Sequence, residues 1–193
     1  TLEDSTAPSK KTNLTVEAKV FIDCTYEGDL MAKAGISYTI GREDNKVYGE
    51  TYSGVQMLER HQFKPNVKVD PYIIPGKKSS GLVYGVSKGK LLPSGTGDKK
   101  VQAYNFRICL TCDKDNMIPI TKPENYDPSK YELLVRWKAQ DPWKMLEDAF
   151  IWSKMPNNKT DINNRGAFST DMIGANWDYP EASYEERARI AKE

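Results

Sequence analysis

The sequence predicts an α+β fold, with a mixed, largely antiparallel sheet and peripheral helices. Three observations carry that expectation. Residues 101–111, VQAYNFRICLT, alternate in the period of a strand. Asp127-Pro128 and Asp141-Pro142 each set a capping acid before a proline at the first helical position. Residues 20–35, VFIDCTYEGDLMAKAG, pass from an apolar run through a polar turn into a short helical pattern. In open α/β sheets that order of strand, turn and helix start is where ligands bind, because the turn lies at the carboxyl end of the strand.

The elements follow in chain order. Leu14, Val16 and Ala18 alternate with polar neighbours, as in a half-buried strand. Val20, Phe21 and Ile22 are uniformly apolar, which predicts a strand covered on both faces and ending at Asp23. Cys24 to Gly28 form the turn, and Asp29 to Gly35 a short helix with Gly35 just past its end. Ile36 to Ile40 alternates again, and Gly41 to Asn45 reads as a turn. Tyr48 to Gln62 fits a short helix or an irregular run. Phe63 to Gly97 is rich in Pro and Gly and predicts a long irregular excursion with short strands around Gly81 to Val86. Irregular segments of that length often carry function.

On the strand 101–111, Gln102, Tyr104, Phe106, Ile108 and Leu110 share one face. The other face holds an amide, Asn105, and a guanidinium, Arg107. Burying those is costly unless each is paired, so this face is expected to look into a wet pocket or an interface. The Asp127 helix carries Tyr131, Leu134, Val135 and Trp137. The Asp141 helix carries Met145, Leu146, Ala149, Phe150 and Trp152, and Met155-Pro156-Asn157-Asn158 ends it. Lys159 to Tyr179 reads as a polar loop, followed by a charged helix from near Asp178 to the last residue.

Bulk properties narrow the functional classes. Hydrophobic residues make up 38% and charged residues 28%, enough for a core and against wholesale disorder. A net charge of +1 lacks the basic excess of a nucleic-acid binder. No apolar run approaches the ~20 residues of a membrane span. The chain begins without Met in a polar stretch and stops inside a helical pattern, so an excised piece of a longer protein is expected. Its compartment stays open between cytoplasmic and periplasmic or secreted. Three cysteines and one histidine argue against a disulfide scaffold and supply no ready zinc set. Cys109 and Cys112, three apart on a strand, point to opposite faces and read as ordinary strand cysteines rather than a redox pair.

Asp23 and Asp29 flank the glycine-containing turn. Two carboxylates repel the phosphate that a helix start would otherwise attract, but they accept well from the hydroxyls of a ribose or ribityl chain. A structural reading competes: Asp29 caps the helix and Asp23 bonds the turn backbone. His61, the one histidine, has the pKa range of a general base, and a structural role is the alternative. Arg107 and Asn105 can hold a substrate carboxylate or hydroxyl, or pair internally. Asn163 to Asp171 fits a polar binding loop or a set of self-bonded turns.

The run FIDCTYEGDLMAKAG, with ISYTIGRE after it, resembles the segment of FAD-dependent oxidoreductases in which a strand ends in D-A-T-G-D-G-D-L-A-x-x-A-G. Some members of that family bear the name xanthan lyase. The resemblance continues through YGE (48–50), VDPY (69–72), VQAYNFRICLT (101–111) and TDINNRGAFSTDMIGANWDYPEA (160–182). It implies a glutathione-reductase-like, two-domain FAD/NAD(P)-binding α/β flavoprotein. Residues 1–40 would supply the last strands and turn of the FAD-binding domain. Residues 41–193 would form a substrate or cap domain with a helical C-terminal part. Gly28 and Asp29 match the Gly-Asp pair lying against the pyrophosphate and ribityl part of FAD. Asp23 and Thr25 match the strand-end Asp and Thr. Cys24 and Tyr26 replace the small residues usual there, and Glu27 adds a charge.

The G-x-G-x-x-G that binds the ADP half of FAD is absent from these residues. The resemblance therefore implies an upstream FAD-binding domain as partner, and little or no FAD affinity without it. His61, Asn105 and Arg107 would serve the catalytic, substrate side, facing a small-molecule or carbohydrate-derived substrate. A second class remains open: a carbohydrate-binding or polysaccharide-lyase-type domain. It would use the four tryptophans, eleven tyrosines and Asn-rich loops for sugar stacking.

Overall fold

The computed structural model describes the whole chain except residues 1, 5, 8, 9, 11, 13, 58–62, 65 and 166–168. His61 lies outside the described residues. The fold is α+β: three α-helices, short 3-10 turns and a three-stranded antiparallel sheet among the described residues. Two compact units interleave along the sequence. One comprises Thr1–Val55, Gly95–Tyr104 and Met172–Glu193; the other comprises Gln56–Ser94 and Asn105–Asp171.

The first unit holds α1 (Asp29–Lys33) and, below, a C-terminal helix. α1 is short because Ala34 closes it and Gly35 follows at φ 74°, a left-handed conformation that glycine adopts without a Cβ penalty. Residues 14–22 and 36–40 form no regular strand, contrary to the strands expected there. Val20, Phe21 and Ile22 are 72, 58 and 77% exposed, so the expected double-sided burial is not met. Apolar composition alone does not make a strand; backbone groups need a ladder partner. What orders this unit instead is close backbone packing. Residues Arg42 and Asp98 exchange main-chain bonds of 2.8 and 3.0 Å, and their side chains pair as well. Val55, buried, bonds the backbone of Gly95 and Thr96. A Cβ on Gly54 would sit 2.5 Å from the Gly95 carbonyl, so only glycine fits.

The second unit contains α2 (Glu132–Gln140) and the sheet, with β1 at Ile108–Thr111, β2 at Phe150–Met155 and β3 at Lys159–Asn164. Asp127 caps as expected, its carboxylate accepting from the Ser129 N–H at 2.9 Å, and a 3-10 turn leads into α2. Trp137 is the buried residue of α2, stacked with Phe63 and edge-on to Trp143. Arg136, from the same helix, donates to the carbonyls of Asp70, Tyr72 and Ile73. It thereby holds residues 70–73 of the long excursion, whose described residues form a 3-10 turn and the Tyr72–Leu82 bridge but not the short strands expected there.

Two expectations for this unit are overturned. The Asp141 segment is not a helix: only Leu146–Asp148 turns, and Phe150 onward becomes β2. Asp148 accepts from the Lys144 and Met145 N–H groups, closing that turn, and the run Phe-Ile-Trp that follows has strand propensity. Nor is Lys159 to Asn164 a loop; it is the central strand, between β1 and β2. Asn157 and Asn158, at φ 59° and 55°, lie in the three-residue hairpin loop between Met155 and Lys159, where the Lys159 N–H donates to the Pro156 carbonyl at 3.3 Å. The ladder places Ile162 opposite Ile108 on one side and Trp152 on the other, which makes it the apolar centre of the sheet. Regular strand in 101–111 is limited to its last four residues, although Asn105 bridges Asp171 upstream of them.

α3 (Tyr184–Lys192) belongs to the first unit and starts several residues later than Asp178. Ser183 caps it, accepting from the Glu186 N–H at 3.2 Å, and Ile190 is its buried apolar residue.

Candidate functional site

The turn before α1 is a closed set of bonds. Asp23 Oδ1 accepts from the Thr25 N–H at 2.9 Å and from its hydroxyl at 2.7 Å. The Thr25 hydroxyl oxygen accepts from the Gly28 N–H at 3.0 Å. Asp23 Oδ2 accepts from the Met31 N–H at 3.0 Å. The Asp23 carboxylate, Thr25 and the start of α1 are thus tied together by hydrogen bonds. The Thr25 hydroxyl bond, then the backbone bonds, hold the Asp23 carboxyl below the usual carboxylate range. Gly28 sits at φ 69°, and a Cβ there would press on the Met31 side chain at 3.1 Å.

Asp29 does not act as a side-chain cap; the residue at the N-cap is Gly28. Its carboxylate meets the guanidinium of Arg187 from α3 in a bidentate pair, with Nη1 to Oδ2 at 2.6 Å and Nη2 to Oδ1 at 2.8 Å. Arg187, 9% exposed, also donates from Nε to the Tyr179 carbonyl at 3.0 Å and from Nη2 to the Pro180 carbonyl at 2.5 Å. The rings of Tyr179 and Tyr184 lie near the guanidinium, at 5.6 and 5.7 Å. The Arg187 hydrogen bonds hold the Asp29 carboxyl below its ordinary value, and the Asp29 bonds raise Arg187. Asp29 and Arg187 line a hollow of about 220 Å3 together with Glu27, Gly28, Tyr38 and Glu181. Tyr38 donates to Glu181 at 3.1 Å. Burial and the nearby Glu27 carboxylate raise the Tyr104 phenol.

Nothing in the sequence reading pointed to Arg187. A usable signal was present: a Ser-x-x-Glu start at Ser183 puts Arg187 in the first turn or two of a helix, where a buried arginine needs a carboxylate partner.

The residues expected on the substrate side belong to the second unit. Arg107 Nε donates to Asp161 Oδ1 at 3.1 Å, and its second nitrogen pairs with Oδ2. Asp161 faces Cys109 in the ladder, so Arg107 reaches it diagonally across the strands. Asn105 donates to Asn163 Oδ1 at 3.3 Å and accepts from the Thr170 hydroxyl at 3.2 Å. The polar face is therefore satisfied by cross-strand partners, as a half-buried amide and guanidinium require. Cys109 and Cys112 are free and exposed.

The structure brings Asp23, Thr25, Gly28 and Asp29 together in one unit, and Asn105 and Arg107 together in the other. Among the described residues, no three His, Cys, Asp or Glu side chains gather as a metal site. No described helix is long and apolar enough to cross a membrane.

The hollow at Asp29 can be tested against a flavin cofactor on its donor set. It is rich in acceptors: Glu27, Asp29 and Glu181 against one guanidinium. A bidentate arginine uses one lone pair on each Asp29 oxygen and leaves one on each. That chemistry fits a polyhydroxyl chain and disfavours a bare phosphate.

The model of a family described as FAD dependent oxidoreductase matches residues 2–193. No curated protein matches the chain. No solved structure matches it.

Proposed function

The chain belongs to the FAD-dependent oxidoreductase family, and from that premise we propose that it contributes one wall of the flavin site and part of the substrate pocket of such an enzyme. When bound, the flavin supplies the electron and hydride chemistry; the protein binds, orients and excludes water. The single observation that carries the reading is the turn from Asp23 to Asp29. It is locked by its own hydrogen bonds and turns an acceptor-rich hollow outward beside a glycine.

In this reading Asp29 accepts from ribityl hydroxyls with its remaining lone pairs. Gly28 gives the cofactor close access to the backbone. Asp23 and Thr25 hold the turn rather than bonding the ligand themselves. The ADP half of the cofactor falls to residues other than these 193, which lack the glycine fingerprint. The division by role at residue 40, with cofactor contacts before it and the substrate or cap part after it, belongs to the same proposal. On the substrate side, Arg107 and Asn105 orient a small, oxygen-rich molecule, and His61 accepts a proton from it. A substrate carboxylate would compete with Asp161 for Arg107, a partner exchange that a half-exposed pair permits.

The test is the visible spectrum of the natural protein that contains this chain with its flanking sequence. Flavin bands near ~450 nm, with FAD affinity lowered by Asp29→Ala, are the expected result. A colourless protein that takes up no FAD sinks the proposal.

A further inference from the structure

We infer that Arg187 is a positioning residue for the cofactor: its fork fixes the Asp29 carboxylate so that one remaining acceptor is presented to a particular hydroxyl of the ribityl chain. The inference rests on the proposed flavin role of the hollow, and it adds a residue from the far end of the sequence to that site.

Three observations combine. The pair is bidentate, at 2.6 and 2.8 Å, so the plane of the carboxylate is set by the plane of the guanidinium. The guanidinium has no freedom of its own. Two further donations, to the Tyr179 and Pro180 carbonyls, and the rings of Tyr179 and Tyr184 hold it in place. Both partners line the same hollow, beside Gly28 and Glu27. An aspartate on a five-residue helix would otherwise be free to rotate about its side-chain bonds. Orienting a carboxylate before the ligand arrives removes that entropy from binding.

A lysine at 187 keeps the charge and loses the fork. The claim therefore separates geometry from charge and from general stability. The experiment uses the natural protein with its flanks. FAD and three FAD analogues, each lacking one ribityl hydroxyl, are titrated into apoprotein and followed by flavin fluorescence. For wild type and Arg187→Lys, the expected result is a tenfold or greater loss of FAD affinity on substitution. That loss should shrink to twofold or less with one of the three analogues, the one already missing the hydroxyl that Asp29 accepts from. Equal losses with FAD and all three analogues would mean that Arg187 only supports the fold, and would overturn the inference. So would undiminished FAD affinity in Arg187→Lys. Should Arg187→Lys not fold, Arg187→Gln takes its place with the same outcomes. Failure of wild type to bind FAD at all is a different result: it removes the flavin reading itself, and this inference with it.

Discussion

The run at Val20–Ile22 and the run at Lys159–Asn164 are opposites. The first is all apolar and reads as the best-covered strand in the chain, yet it is exposed and forms no strand. The second, Lys-Thr-Asp-Ile-Asn-Asn, reads as a loop and is the central strand of the sheet. The difference is the neighbour. β3 inherits one partner from a tight hairpin and a second from β1, and two of its polar side chains, Asp161 and Asn163, bond Arg107 and Asn105 just upstream of β1. Strand propensity describes fit to a pleated, half-buried surface, and without the surface it decides nothing.

The largest effect that sharpens this contrast is at Ile162, the one buried apolar residue of β3. Ile162→Ala should cost about 3 kcal/mol in urea unfolding, the usual range for a buried aliphatic truncation. Ile22→Ala should change stability by less than about 0.5 kcal/mol where the run is exposed as it is here. A large cost at Ile22 in the natural protein, measured the same way, would mean that something outside these residues covers it, and would redraw the comparison.

Next in size is the Asp29–Arg187 pair of the first unit. Arg187→Met removes the partner of a half-buried carboxylate and should cost about 2 kcal/mol, below the figure for a fully buried pair. The pH dependence has a definite sign. The folded Asp29 value is depressed, so its contribution is complete above the ordinary carboxylate range and is lost as pH falls through the lowered value. Melting curves of wild type and Arg187→Met should therefore differ most near neutrality and converge in acid. Curves that stay parallel would show that the pair contributes no charge-dependent stability.

Two smaller effects probe the sheet. Asn157→Val puts a β-branched residue at φ 59° in the hairpin and should cost about 1 kcal/mol, whereas Asn157→Gly should be neutral or slightly stabilising. Equal losses in both would mean that the turn is held by the Asn side chain and not by its backbone. Asp161→Asn breaks a half-exposed pair and should lower stability only slightly, the smallest of these effects, with the difference shrinking at high salt.

Much of the α1 region was legible because its signals are local. Gly28, Asp29 and Gly35 mark a turn, a helix start and a helix end whatever surrounds them. The Asp127-Pro128 helix start was legible for the same reason. The sheet was not, because its determinants are non-local. Only the positive-φ pair Asn157-Asn158 betrayed the hairpin, and Met155-Pro156-Asn157-Asn158 looks as much like a helix stop as a strand turn. Phe150, Ile151 and Trp152 fit a helical face after Asp141-Pro142 equally well. At the site, the motif residues Asp23 to Asp29 were visible in the sequence, while Arg187 sits 158 residues from its partner, and no spacing rule connects them.

Hydrogen exchange in the natural protein, with and without FAD, tests the central claim most directly. The account predicts that FAD slows exchange at residues 23–32, the turn and first helix, while the hairpin at 156–158 stays unchanged. Protection at the sheet with the turn unaffected would contradict it.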